Sequence, residues 1–200
     1  NASLIMAVSA AIMYLIGRTY LRMPYALLLA AAYALGTSAY STASRALWQH
    51  GPSMLLLSLA LLLLVRARRR PAMVAFVALP LGLAYIVRPT NSISVAIISL
   101  YVLLVYRSYF RRYALLGLLV ALLFVGLNLA VYHNVLPPYF AATRLGSATF
   151  GQALLGNLVS PSRGVFIYSP ILLLAPVGIF LKVRHGQWES IDWALAAIIV

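Results

Sequence analysis

This sequence predicts an all-α, polytopic transmembrane bundle of about seven to eight helices, on three observations. Hydrophobic residues fill 64% of the 200 positions and charged residues only 8%, whereas a soluble domain carries about a quarter charged residues. The apolar residues come in Leu- and Ala-rich runs, near the ~20 residues that cross a bilayer and without the alternation of barrel strands. The basic residues fall between the runs, crowded into every second gap. No single core of this size could hide so much apolar surface from water. Hydrocarbon offers no partner to a backbone N–H or C=O, so each run must close its own hydrogen bonds as a helix.

The runs are read in chain order. The first is Ala2–Gly17, followed by Arg18 and Arg22. The second is Tyr25–Tyr40, followed by the polar stretch 41–52. The third, Ser53–Val65, ends at Arg66, Arg68, Arg69 and Arg70. The fourth, Ala72–Val87, ends at Arg88-Pro89-Thr90-Asn91, and Pro80 within it predicts a kink, because proline removes one ladder bond. The fifth, Ser92–Tyr106, ends at Arg107, Arg111 and Arg112. The third and fifth are short for a full span, so their helices are expected to extend into the flanking polar residues or to tilt little. The sixth is Tyr113–Tyr132, followed by an outer loop, 133–168. The seventh is Ser169–Leu181, closed by Lys182 and Arg184, and an eighth starts near Ile191. The chain begins and ends inside apolar runs, so residues 1–200 read as a single transmembrane domain cut at both ends.

Basic residues mark the cytoplasmic side of a membrane protein. Placing the loops at 18–24, 66–71, 107–112 and 182–190 inside puts eleven of the fifteen Lys and Arg there: Arg18, Arg22, Arg66, Arg68, Arg69, Arg70, Arg107, Arg111, Arg112, Lys182 and Arg184. Arg45, Arg88, Arg144 and Arg163 fall outside, in segments 41–52, 88–92 and 133–168. A net charge of +13 would fit nucleic acid if it formed one solvated face; interleaved between apolar runs it is a topology signal, and no nucleic-acid partner is expected. The partners expected are membrane lipids. With no cysteine, disulfides and thiolate metal sites are excluded.

The polar chemistry collects in the outer segments. Arginine there runs against the inside bias. Either Arg45, Arg88 and Arg163 converge on an anion such as a phosphate, which guanidinium forks grip well, or they snorkel to lipid headgroups. Arg88 is the strongest candidate, because the proline after it pins a helix end; Asn91 and Tyr168 join it as candidate binding residues. His50 is a general base, a metal ligand or a hydrogen-bonded structural histidine, the last favoured by the absence of a neighbouring carboxylate or second histidine. Trp48 fits the interfacial aromatic belt. Phe150–Val159 is either a helix lying on the outer leaflet or packing within the loop. The two acids, Glu189 and Asp192, fall on the inner side as a helix-start pair. The outer face thus has no carboxylate for acid–base or metal chemistry, no cofactor is evident, and a divalent metal finds no support.

Three motifs carry a resemblance. Tyr40-Ser41-Thr42-Ala43-Ser44-Arg45-Ala46-Leu47-Trp48, with Pro52 later than usual, resembles the turn between two helices of the polyprenyl-phosphate-sugar-dependent glycosyltransferases of the GT-C superfamily, with their protein O-mannosyltransferase and aminoarabinose-transferase branches. Gly82-Leu83-Ala84-Tyr85-Ile86-Val87-Arg88-Pro89-Thr90 resembles a helix end of the same family. The segment from Leu158 to Pro170, through Ser160-Pro161-Ser162-Arg163-Gly164, is similar to a loop of its bacterial members. The resemblance implies a multi-pass enzyme of a prokaryotic plasma (inner) membrane. It would move a sugar from a polyprenyl-phosphate donor to an unidentified acceptor on the outer face, with inversion. Arg88, and after it Arg45, His50 and Arg163, would face the lipid phosphate. The family's catalytic acid sits in its first outer loop, which in this register lies upstream of Asn1. Two other readings stand beside it: a transporter or flippase for a lipid-linked or anionic substrate, against which the spans carry almost no midplane charge and no internal repeat, and a non-catalytic membrane scaffold.

Overall fold

The computed structural model describes all residues except Ser38, Ala46, Leu47, Pro138, Tyr139, 141–149, Arg163 and Val200. The described residues are helical, with no strand among them. In order they form α1 (Ala2–Tyr20), α2 (Met23–Leu35), a π turn (Ala39–Ala43), α3 (His50–Ala67), a 3-10 turn (Pro71–Val77) continuing into α4 (Ala78–Val87), a 3-10 turn (Pro89–Asn91) continuing into α5 (Ser92–Val105), α6 (Arg107–Tyr132), α7 (Phe150–Val159), α8 (Val165–Tyr168), a 3-10 turn (Pro170–Leu173) leading into α9 (Leu174–Arg184), and α10 (Ser190–Ile199).

Among the described residues three helices, α1, α3 and α6, are long and apolar enough to cross a membrane, which points to a membrane protein. The others are shorter: Met23–Leu35, Pro71–Val87 and Pro89–Val105 reach 10–17 residues. Of the seven to eight spans expected, three are thus met by single long helices among the described residues. The clearest membrane signature is α6. Tyr113, Val120 and Asn128 are buried on one narrow stripe. Around the rest of the helix Leu115, Leu118, Leu119, Leu122, Leu123 and Leu127 are all exposed, an apolar surface far beyond what water tolerates on a monomer.

Several boundaries differ from the sequence reading. The third run lengthens at both ends into α3, as its shortness required. The second run stops at Leu35, and its tail becomes the π turn. Residues 107–112, expected as a loop, are the first turns of α6, and only Tyr106, at φ −117° and ψ 45°, separates it from α5. Likewise Arg18, Arg66 and Lys182 to Arg184 lie inside helix ends. The outer loop 133–168 contains α7 and α8. Pro80 does not kink a helix: α4 begins at Ala78, so Pro80 sits in a first turn where its missing N–H breaks no bond. Upstream, the helix changes from 3-10 to α at residues 77–78, both of them in the right-handed helical region.

Helix α1 packs on α2 and α3, α3 on α4, α6 on α4, and α10 on α5. Between apolar helices in lipid, close approach and hydrogen bonds do most of the holding. A Cβ placed on Gly17 would lie 3.3 Å from Ala26, and one on Gly82 3.0 Å from Val120, so glycine lets α2 and α6 come near. The buried Ser9 hydroxyl pairs with Tyr33 at 2.8 Å and Ser58 at 3.1 Å, tying α1 to α2 and α3.

The packing sorts the connections into two ends. At one end the Arg68 guanidinium donates to the Tyr20 hydroxyl at 3.0 Å and pairs with Glu189 at 2.6 Å. Tyr106 lies against the same pair, and Lys182 pairs with Asp192 at 2.7 Å. At the other end Ser3 donates to the Ser44 carbonyl at 3.0 Å, and His50 meets Arg88. The four basic segments thus gather at one end, and segments 41–52 and 88–92 at the other.

Candidate functional site

The candidate site lies at the end away from the basic loops, where α3 begins beside the joint between α4 and α5. The joint follows from Arg88-Pro89. A residue before proline is pushed out of the helical region, and Arg88 is extended at φ −144°, ψ 114°. Its N–H still closes α4 on the Ala84 carbonyl at 2.9 Å, while its own carbonyl accepts the Asn91 N–H at 3.0 Å. The chain therefore breaks for one residue and restarts, which holds Arg88 and Asn91 on consecutive turns.

Two rungs lash this joint to α3. The Arg88 Nη1 donates to His50 Nδ1 at 2.8 Å. One turn further on both elements, the Asn91 amide donates to the Ser53 hydroxyl and to the Ala84 carbonyl, each at 2.8 Å. The two rungs share one sequence offset, 38 residues, because His50 and Ser53, like Arg88 and Asn91, are spaced i, i+3 on the same face. Asn91 and Ser53 are buried, at 9% and 3% exposure. The lower rung is structural; the upper one stands at the surface.

The upper rung defines its own chemistry. Guanidinium has five N–H donors and no acceptor, so His50 Nδ1 must be the accepting lone pair. The imidazole in this pair is neutral, with its proton on Nε2. It is then a donor outward and is neither a free base nor a metal ligand through Nδ1, which fits the structural reading of His50. Arg88 keeps N–H groups beyond the one spent on His50. Together the pair offers donors and positive charge to an anion. Among the described residues no group of three His, Cys, Asp or Glu could hold a metal ion. Glu189 and Asp192, the two acids of this sequence, are at the opposite end.

An apolar cavity of about 320 Å³ lies between α4, α5 and α6, bounded by Tyr85, Ile86, Val95, Phe124 and Leu136. Phe140 packs edge-on against Tyr85, ring centroids 5.5 Å apart, and against Phe124 at 5.4 Å. The cavity wall begins one turn before Arg88.

The other candidates stand apart. Arg45 is exposed and makes no hydrogen bond or ion pair with Arg88 or His50. Tyr168 is in α8, where its hydroxyl donates to the Pro161 carbonyl at 2.9 Å, a local bond. Arg163, Arg144 and Tyr139 lie outside the described residues. Trp48 is exposed at 64%. Sequence reading missed Ser53, the partner that fixes Asn91. Its signal was a polar residue within an otherwise apolar run, as with Ser9 and Ser58. Comparison with protein-family models, curated proteins and solved structures yields no match.

Proposed function

We propose that this chain belongs to an integral membrane glycosyltransferase that moves a sugar from a polyprenyl-phosphate donor to an acceptor at the end of the bundle holding Arg88. The fold that goes with this reading is a bundle of seven to eight membrane-embedded helices with the basic loops in the cytoplasm. The observation that carries the proposal is the Arg88–His50 pair at the α4–α5 joint, near in sequence to Tyr85 and Ile86, which help to line an apolar cavity. It offers a phosphate a guanidinium and an imidazole N–H, and the lipid chain beside it a greasy wall. The resemblance around residues 82–90 points the same way.

In the reaction, an acceptor hydroxyl oxygen attacks the anomeric carbon, and the bond from that carbon to the phosphate oxygen breaks. The phosphate leaves with the electron pair, and Arg88 stabilises the charge that develops on it. The acceptor's proton must go to a base. His50 is already committed through Nδ1, and no carboxylate lies at this end among the described residues. The reading therefore requires a carboxylate from another part of the protein.

The test is transfer from a radiolabelled polyprenyl-phosphate sugar in membranes. Arg88→Ala should abolish transfer while leaving membrane insertion intact. Unchanged transfer by that variant would remove Arg88 from the site and the proposal with it.

A further inference from the structure

The basic end holds a second feature, independent of the glycosyl-transfer reading. A cleft of about 450 Å³ opens between the end of α1, the end of α3 and the 3-10 turn that follows, and Arg18, Arg66, Arg69 and Arg70 all line it over a floor that includes Val65 and Met73. These arginines come from two parts of the chain separated by more than forty residues, so packing brings them together. Both acids in the sequence are engaged elsewhere: Glu189 with Arg68, Asp192 with Lys182. Arg18 spends one N–H on the Leu21 carbonyl at 2.8 Å. Among the described residues Arg66, Arg69 and Arg70 have no side-chain hydrogen bond or ion pair.

The charge at the cleft is far from balanced. The C-termini of α1 and α3 each contribute about −0.5 of a charge against four guanidinium charges, leaving about +3. No side chain of the described residues is placed to neutralise it. Four planar forks around one cavity with an apolar floor match a phosphate-bearing anion, and a basic pocket between membrane helices suits phospholipid headgroups.

We infer that this cleft is a binding site for a phosphate-bearing anion, from a phospholipid headgroup seated at the membrane surface or from a free phosphate compound. Its apolar floor and its place at helix ends favour the headgroup.

The experiment uses the full protein purified in neutral detergent. Phosphatidylglycerol is titrated in one arm, inorganic pyrophosphate in a second, and phosphatidylcholine serves as the zwitterionic control, with bound ligand counted by native mass spectrometry. Saturable binding of either anionic probe is expected, weakened about tenfold or more by Arg69→Gln/Arg70→Gln. The charge-matched control Arg111→Gln/Arg112→Gln, outside the cleft, should stay within about twofold of the unmodified protein by the same reckoning. Preference for phosphatidylglycerol assigns the site to lipid, and preference for pyrophosphate assigns it to a free phosphate; both support it. Equal weakening by the two double variants, or no saturable binding of either probe, overturns it. Should the first double variant fail to fold, Arg18→Gln, on a different helix, probes the same cleft and must also weaken binding, or the inference fails.

Discussion

The two ends of the bundle handle arginine in opposite ways. At the basic end, guanidinium groups are numerous and, among the described residues, mostly without an acidic partner; the one in an ion pair, Arg68, sits in an exposed pair with Glu189, side chains 38% and 40% accessible. The Tyr20 hydroxyl that accepts from it, more than the carboxylate, holds its pKa above the usual arginine value. Beside it, burial pushes the Tyr106 hydroxyl up to about 12, so it stays a neutral phenol. At the other end a single arginine, Arg88, is oriented by a histidine and braced by a buried Asn91–Ser53 bond one turn away. Charge in bulk sets which end faces which side; a charge with a fixed direction can recognise something. The difference separates arginines that act by number, gathered at one end, from one whose direction is fixed by its partners.

The largest expected effect tests whether there are two ends at all. The chain has no cysteine, so single ones can be placed beyond and within opposite ends of α6, at Asn134→Cys and Ser108→Cys. In sealed membranes an impermeant maleimide should label one from each side, all or none. Labelling of both from the same face would collapse the comparison.

Next comes function. Arg88→Lys keeps the charge but loses the fork that meets His50, and should reduce transfer by about 10²–10³-fold. Arg111→Lys, at the basic end, should leave transfer unchanged. Equal behaviour of the two would mean that only charge matters at both ends.

Stability follows. Asn91→Leu leaves the buried Ser53 hydroxyl without its partner and takes from the Ala84 carbonyl one of its two donors, the Arg88 N–H remaining, at a cost of about 1–3 kcal/mol, read as a lower midpoint in thermal unfolding in detergent. Adding Ser53→Ala should recover part of that loss, since one orphaned group is then removed. The smallest effect is expected at the basic end. Glu189→Gln breaks an exposed ion pair worth less than about 1 kcal/mol, and the difference should fade in high salt. A larger loss there than at Asn91 would reverse the picture.

Much of the helical layout is legible from residue order, because the solvent for these helices punishes any exception. The runs from Ala2, Ser53 and Tyr113 became α1, α3 and α6, since an unpaired backbone group in hydrocarbon is too costly to leave. Segment ends were less legible. Arg107, Arg111 and Arg112 look like a loop by charge, yet arginine is a good helix former, and only Tyr106 breaks the chain. Pro80 looked like a kink because its effect depends on where the helix starts, which the 3-10 turn before Ala78 settles. At the site, Arg88 could be singled out from Arg-Pro-Thr-Asn, because the dipeptide's geometry is local. His50 as its partner could not, since 38 residues separate them and nothing in either segment names the other.

Residue order therefore commits this chain to apolar helices with basic connections in alternating gaps, because burial in lipid and the placement of charge depend on composition along the chain. Helix packing chose which polar groups meet: His50 with Arg88, Ser53 with Asn91, and Arg18 with the arginines after α3. Such pairings depend on the rotation and close approach of helices, governed by contacts such as Gly82 against Val120, and those are properties of surfaces brought together in space.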